Sequence, residues 1–161
     1  MAGVSLTGDW KKVQRMIGST IKKMEHRQTL TETIGEALVS STKERFDREE
    51  RPDGTPWPKS QRAEQEGGQT LTDRGVLKDS IGYEASKDMV AVGTVEIYGR
   101  IHQLGGEIVP QKAKRLVFEV GGKKVFAKKV TIPERAYLGI SDDDREEIMG
   151  IAEDFLAGDP K

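Results

Sequence analysis

Apolar side chains recur at three- and four-residue steps near the start of the chain. Trp10, Val13, Ile17, Ile21 and Met24 fall on one helical face, with Thr7 or Asp9 able to cap it. A second helix is expected from Thr29 to Arg48, with Leu30, Ile34, Ala37, Leu38 and Ser41 on one side. Gly18 and Gly35 weaken both helices slightly. Two amphipathic helices with a short join, together spanning residues 9–48, predict an antiparallel pair whose apolar stripe packs into a core. A smaller share of the expectation goes to an inter-subunit helical surface. From Ile81 the period changes to that of strands, first in IGYEA and then in MVAVGTVEI. In RLVFEVGGKKVFAKKVTIP, Leu116, Phe118 and Val120 alternate, as do Val125 and Ala127 beyond Gly121-Gly122, which predicts a hairpin. Ser141 can cap a last helix over 141–157, whose apolar face is Ile148, Ile151, Ala152 and Phe155.

Between the helices and the strands lies RPDGTPWPKSQRAEQEGGQT, residues 51–70. Pro52, Pro56, Pro58 and the Asp53-Gly54 turn pair exclude regular structure over Arg51 to Pro58. An irregular connection of this length marks function or disorder. Trp57 is its one large apolar side chain, either tucked under the loop or presented to a partner. The expectation taken forward is a mobile loop ordered by a neighbour, with Trp57 as the anchor. Thr72 or Asp73 can cap a short helix running through Ser80. The whole reads as one α+β domain over 1–161. It comprises an N-terminal helical pair, a β-rich core at 72–140 holding a short antiparallel sheet with an extended hairpin, and a C-terminal helix.

Composition adjusts this picture in one respect. Apolar residues are 35% of the 161 and charged residues 33%, lean enough that neighbouring subunits are expected to complete some of the apolar surface. The net charge of −1 gives no general attraction to nucleic acid or acidic membranes. The absence of cysteine excludes disulfides and thiolate metal sites. No stretch approaches the ~20 apolar residues of a membrane span, and a soluble protein acting where it is synthesised is expected.

Convergent chemistry is sparse. His26 and His102 are the only histidines, with no metal-ligand spacing between them, and no phosphate-cradling glycine pattern occurs. No cofactor, metal or catalytic residue is assigned. The stretch YGRIHQLGG still poses a choice between a catalytic loop around His102 and a rigid piece of scaffold. A general base there would need an orienting carboxylate and a pocket.

Charge placement says more. Lys112, Lys114, Arg115, Lys123, Lys124, Lys128 and Lys129 surround the hairpin, with Glu119 its only acid. Asp142, Asp143, Asp144, Glu146 and Glu147 crowd the first turns of the last helix, where acids suit the helix dipole. Each surface alone is read as solvated; their opposite signs within one chain favour head-to-tail contacts between copies.

The succession PDGTPW, LTDRGVLKDSI, VAVGT, YGRIHQLGG and IPERAYLGIS resembles the phage virion morphogenesis family, the tail completion proteins of Mu-like phages and prophages. The resemblance runs from about Phe46 to Phe155 with all motifs in order. It rests on Pro52, Asp53, Gly54, Pro56, Trp57, Gly75, Leu77, Ser80, Gly93, Thr94, Tyr98, Ile101, His102, Gln103, Gly105, Gly106, Ile132, Pro133, Arg135, Leu138, Gly139 and Ser141. Gly99 stands where the family usually has Ala, and Ala136-Tyr137 where it usually has Pro-Phe. The first change is read as added backbone freedom and the second as the loss of a rigid proline. The resemblance implies a non-enzymatic role in finishing the tail or joining it to the head. Self-association into a ring and contact with tail tube, terminator or neck proteins are expected, in the host cytoplasm and then in the virion; a DNA contact through the basic hairpin is the less favoured alternative. It also implies that Tyr98, His102, Gln103, Gly105, Gly106, Pro133, Arg135, Leu138 and Gly139 are structural, with His102 and Gln103 tying the Gly105-Gly106 turn to the adjacent strand. Trp57, the seven bases of the hairpin region, and Asp142, Asp143 and Asp144 are the expected interaction residues.

Overall fold

The computed structural model describes residues 26–120 and 122–158, together with residues 11, 14 and 18. The expected first helix, with its Trp10 to Met24 face, lies outside the described residues. The second is present as α1, Arg27–Arg48. Its innermost line is Gly35, Thr42, Arg45 and Phe46, while Ile34, Ala37, Leu38 and Ser41 are only half-buried. Gly35 is required by packing: a Cβ there would lie 2.4 Å from the ring of Tyr83.

α1 ends at Glu49, in the left-handed region at φ 55°. The following residues close on themselves. Gly54 N–H donates to Arg51 O, Arg51 N–H to Thr55 O, Thr55 N–H to the Asp53 carboxylate, and Trp57 N–H returns to Glu49 O. The expected mobile loop is thus a turn sealed against the helix end. Its second half is also more regular than predicted, because Ser60 Oγ accepts from Ala63 N–H and caps α2, Gln61–Glu66. The short helix α3, Val76–Asp79, starts from Gly75; neither Thr72 nor Asp73 caps it.

The strands form three separate antiparallel ribbons rather than one short sheet. β1, Ile81–Ser86, pairs with β2, Met89–Thr94, and both pack on α1. The second strand was expected to reach Ile97, but it stops at Thr94. There the Thr94 hydroxyl bonds Ser80 Oγ at 2.6 Å and accepts from Glu96 N–H, which turns the chain into α4, Gly99–Leu104. β3, Gly106–Ile108, pairs with β6, Val130–Ile132. Between them β4, Leu116–Val120, and β5, Lys123–Ala127, form the predicted hairpin, which packs closely on no other element among the described residues. α5, Asp142–Ala157, begins as predicted at Ser141, in a capping box with Asp144.

The apolar core is small. Phe46, Trp57, Leu77, Ile81 and Tyr137 come from separate segments; Trp57 meets the Phe46 ring edge-on and Tyr137 meets it at a tilt, with ring centroids 5.4 and 5.3 Å apart. Beside it, α5 is fastened to α1 by a buried ion pair. The Asp144 carboxylate, 2% exposed, accepts from Arg45 Nη2, Ser41 Oγ and its own cap, Ser141 N–H. Asp144 was expected as a solvated or interfacial acid; with Arg45 one element away it is instead part of the interior.

Burial alone would raise the Asp144 carboxyl above its ordinary value, but the hydrogen bonds from Ser41 and Ser141 and the Arg45 charge outweigh it and hold it below. The ionised form therefore stabilises the fold fully at neutral pH, and that contribution fades as pH falls through and below the ordinary aspartate range. Asp144→Asn, which strands the buried Arg45 charge, is expected to lower stability at pH 7 by about 3–5 kcal/mol. It should also flatten the acid limb of the stability curve; urea melts from pH 7 down to acid compare the two proteins.

Candidate functional site

Residues 133–139 follow β6 without regular structure, yet Arg135 and Tyr137 are 4% and 1% exposed. Buried backbone must find hydrogen bonds, and here side chains supply them. Gln103, on α4, accepts through Oε1 from Tyr137 N–H at 3.0 Å and Leu138 N–H at 2.9 Å, and donates through Nε2 to Leu138 O at 2.9 Å. Arg45 Nη1, on α1, donates to Tyr137 O and Gly139 O. Trp57 Nε1 donates to Ala136 O at 2.9 Å, and Arg51 Nη2 to Glu134 O. Arg135 closes the circuit: its N–H donates to His102 O, and its guanidinium donates to Pro58 O and Lys59 O. Burial lowers the pKa of Arg135 from its usual value.

Several of the residues singled out in the sequence meet at this strap, and two of them fit differently from expectation. Trp57 is 4% exposed inside its own subunit, so it is an internal plug and not an anchor for a partner. Its indole is consumed by the strap carbonyl and by the ring of Phe46. Gln103 is a hydrogen-bonder as predicted, but it ties the strap and not the Gly105-Gly106 turn. That turn is steric in origin: Gly105 sits at φ 66°, and a Cβ on it would lie 2.8 Å from Glu134 N. Gly139 packs against Pro52, which joins the PDGTPW turn to the end of the strap.

His102 departs from its expected role. Its Nδ1 is buried with no hydrogen-bond partner, and its carbonyl, not its ring, makes the structural bond. The ring lies edge-on to Tyr98, itself 42% exposed, with centroids 6.2 Å apart. Burial first, and the Arg135 charge second, push the imidazole pKa down, which favours its neutral form. The nitrogen that an orienting carboxylate would hold has no carboxylate on it, and the triad logic of a general base is unmet at this atom.

The charged surfaces are disposed as follows. Lys112, Lys114 and Arg115 occupy the irregular lead-in to β4, Lys123 and Lys124 lie on β5, and Lys128 and Lys129 follow it, all exposed. Lys129 is engaged within the subunit, 2.6 Å from the Glu107 carboxylate. Asp142 and Asp143 remain exposed on the first turn of α5, with Asp142 near Arg145 at 3.6 Å.

Three features were not legible beforehand. The Arg45–Asp144 pair spans most of the chain, and neither partner stands out by type or spacing. Gly99 was read as adding freedom, but its φ is unremarkable for a helix start and its role is space. A Cβ there would lie 2.7 Å from the Tyr137 hydroxyl and 2.6 Å from Thr94 Cγ2. The third feature follows from the second: the two departures from the family pattern touch. Glycine at 99 makes room for the hydroxyl that tyrosine adds at 137.

Gln103→Ala, which leaves three strap groups without partners, is expected to cost about 2–3 kcal/mol. His102→Ala orphans no partner and should cost clearly less; chemical melts rank the pair, and equal losses would contradict this assignment. Gly99→Ala should destabilise by about 1–3 kcal/mol through overpacking. Adding Tyr137→Phe should recover part of that loss, with Thr94 holding the remainder, so that the double-mutant cycle shows favourable coupling.

A family model, described as the phage virion morphogenesis family, matches residues 8–157, a longer span than the motifs alone cover. No curated protein and no solved structure matches the chain. The match covers nearly the whole sequence, and the motif residues Trp57, Gln103 and Arg135 are among those that hold the strap. The chain belongs to the phage virion morphogenesis family.

Proposed function

We propose that this protein is a non-enzymatic assembly factor that completes the phage tail or joins it to the head. In this reading several copies associate as a ring on the terminal tail subunits, halt their polymerisation and offer a surface to the head. The partners are further copies of the chain and a tail tube, terminator or neck protein. The observation that carries the reading is the hairpin. It leaves the body of the subunit with Val117 and Phe126 each 58% exposed, and among the described residues no other element packs closely on it. A two-stranded ribbon with apolar side chains on both faces is marginal alone and gains stability from a partner. The motif side chains Trp57, Gln103 and Arg135, by contrast, are spent on internal hydrogen bonds, which suits a scaffold better than a reaction centre. Among the described residues no helix is long and apolar enough to cross a membrane, and no group of acids and histidines is arranged to hold a metal ion.

The second reading, a neck protein whose basic hairpin lines a DNA channel, draws on the exposed Lys112, Lys114 and Arg115. It requires duplex binding whose affinity falls steeply with salt. Deleting the gene from an inducible phage and imaging the lysate by electron microscopy tests the leading reading. Tails that are unjoined or of irregular length, rescued by supplying the protein, are expected. Normal virions from the deletion would overturn it.

A further inference from the structure

The hairpin and α5 carry matching patterns that do not meet within one subunit. In the β4–β5 register Val117 lies opposite Phe126 and Glu119 opposite Lys124, so these four share the outward face of the arm. One residue beyond the strands, Arg115 and Lys128 continue that face at its root. Along β5 the face therefore reads Lys124, Phe126, Lys128, an aromatic between two bases about 6.8 Å away on either side. Lys123 falls on the opposite face, paired with Val120.

On α5 the inward side is Asp144, Ile148, Ile151, Ala152 and Phe155, buried or half-buried against α1. On the outward side Asp142, Glu146, Met149 and Glu153 follow one another at steps of four, three and four, which keeps them on one stripe. Met149 is 60% exposed. Glu146 and Glu153 stand about 4.5 and 6 Å from it along the axis. This is an apolar side chain between two acids, the charge complement of the arm at nearly the same spacing. Lysine stems are long enough to absorb the difference.

Resting on the assembly reading above, we infer that the outward face of the arm docks on the outward stripe of α5 in a second copy of this chain. Phe126 and Val117 cover Met149, while Lys124 and Lys128 reach Glu153 and Glu146. The contact joins two different surfaces, so each copy offers one arm and receives another. Such heterologous contacts propagate head to tail and close into a ring when the rotation allows. The occupant is a second copy because both halves of the complement are on this chain. Asp144, buried beneath Arg45, takes no part.

The natural absence of cysteine makes the test clean. Single variants Phe126→Cys and Met149→Cys, both at exposed positions, are mixed and treated with a short bismaleimide, since packed layers stand about 10 Å apart, beyond the reach of a disulfide. A covalent heterodimer is expected, and a ladder from the double variant. Lys123→Cys, on the other face, should crosslink poorly to Met149→Cys. In parallel, sedimentation follows self-association of Lys124→Glu/Lys128→Glu, expected to be weakened about tenfold or more. Combining it with Glu146→Lys/Glu153→Lys should restore association. Oligomers that form without the crosslink, or that ignore the charge reversal, would overturn the docking while leaving the assembly role intact. A chain that stays monomeric at every concentration yet still rescues tails would do the same. In that case a tail protein takes the arm. Salt-dependent DNA binding lost with Lys124 and Lys128 would assign the face to DNA instead.

Discussion

An irregular stretch of backbone cannot be buried unless something satisfies it, and in this protein that requirement falls on residues 133–139. The strap lies across the one place where α1, the PDGTPW turn and α4 come together. Its carbonyls at Glu134, Ala136, Tyr137, Leu138 and Gly139 are each met by a side chain from one of those three segments. An unmade buried hydrogen bond costs about 1–3 kcal/mol, so the three segments cannot shift independently without exposing several such losses together. The apolar core, only a few residues deep, follows from this arrangement. Tyr137 enters it because the strap is held at both sides, and Trp57 enters it with its indole already committed to Ala136.

The same logic explains which parts of the fold were legible in the sequence. α1, the β4–β5 hairpin and α5 obey periodicities that their own residues display, and α5 even announces its cap at Ser141. The central contacts do not. Arg45 looks like any exposed helix arginine, and Asp144 like one more acid in a run, because burial of a charge is decided by its partner and that partner is about a hundred residues away. Gln103 was recognisable as a buried hydrogen-bonder, yet its partner could not be read, since a backbone acceptor carries no sequence signature. Trp57 was balanced between plug and anchor, and the deciding fact was the position of Phe46. Gly35 was read as a weakness in a helix and Gly99 as added backbone freedom, while their use is to admit the ring of Tyr83 and the hydroxyl of Tyr137. Helix propensity is a local quantity, and those two contacts are not local.

The inner stripe of α1 also shows why its expected apolar face is only half-buried. Gly35, Thr42 and Arg45 lie at its deepest positions, and the residues that looked like its apolar face are its flanks. A helix wedged between a β-ribbon on one side and α5 on the other needs small or hydrogen-bonding residues at the centre and apolar residues on both shoulders. The Arg45–Asp144 pair then sets how α5 sits, because a buried pair is intolerant of misplacement where a greasy contact would slide.

The motif side chains Trp57, Gln103 and Arg135 are thus turned inward, and the arm is the part left open. An exposed two-stranded ribbon bearing Val117 and Phe126 would be an aggregation hazard if its edges met those of other ribbons at random. Lysines on and beside an edge are the usual defence, since pairing two such arms would bring their charges together. Lys123, Lys124 and Lys128 hold that position here. The same bases that repel a second arm are attracted by an acidic helix face. A single charge pattern thereby disfavours the wrong contact between copies and favours the proposed one. Because exposed ion pairs contribute only about 0–1 kcal/mol each, this selectivity acts on orientation, and the apolar centre of the face must supply the affinity. In the proposed docking, the charge pattern would thus set the direction in which copies associate, which is what a head-to-tail assembly requires.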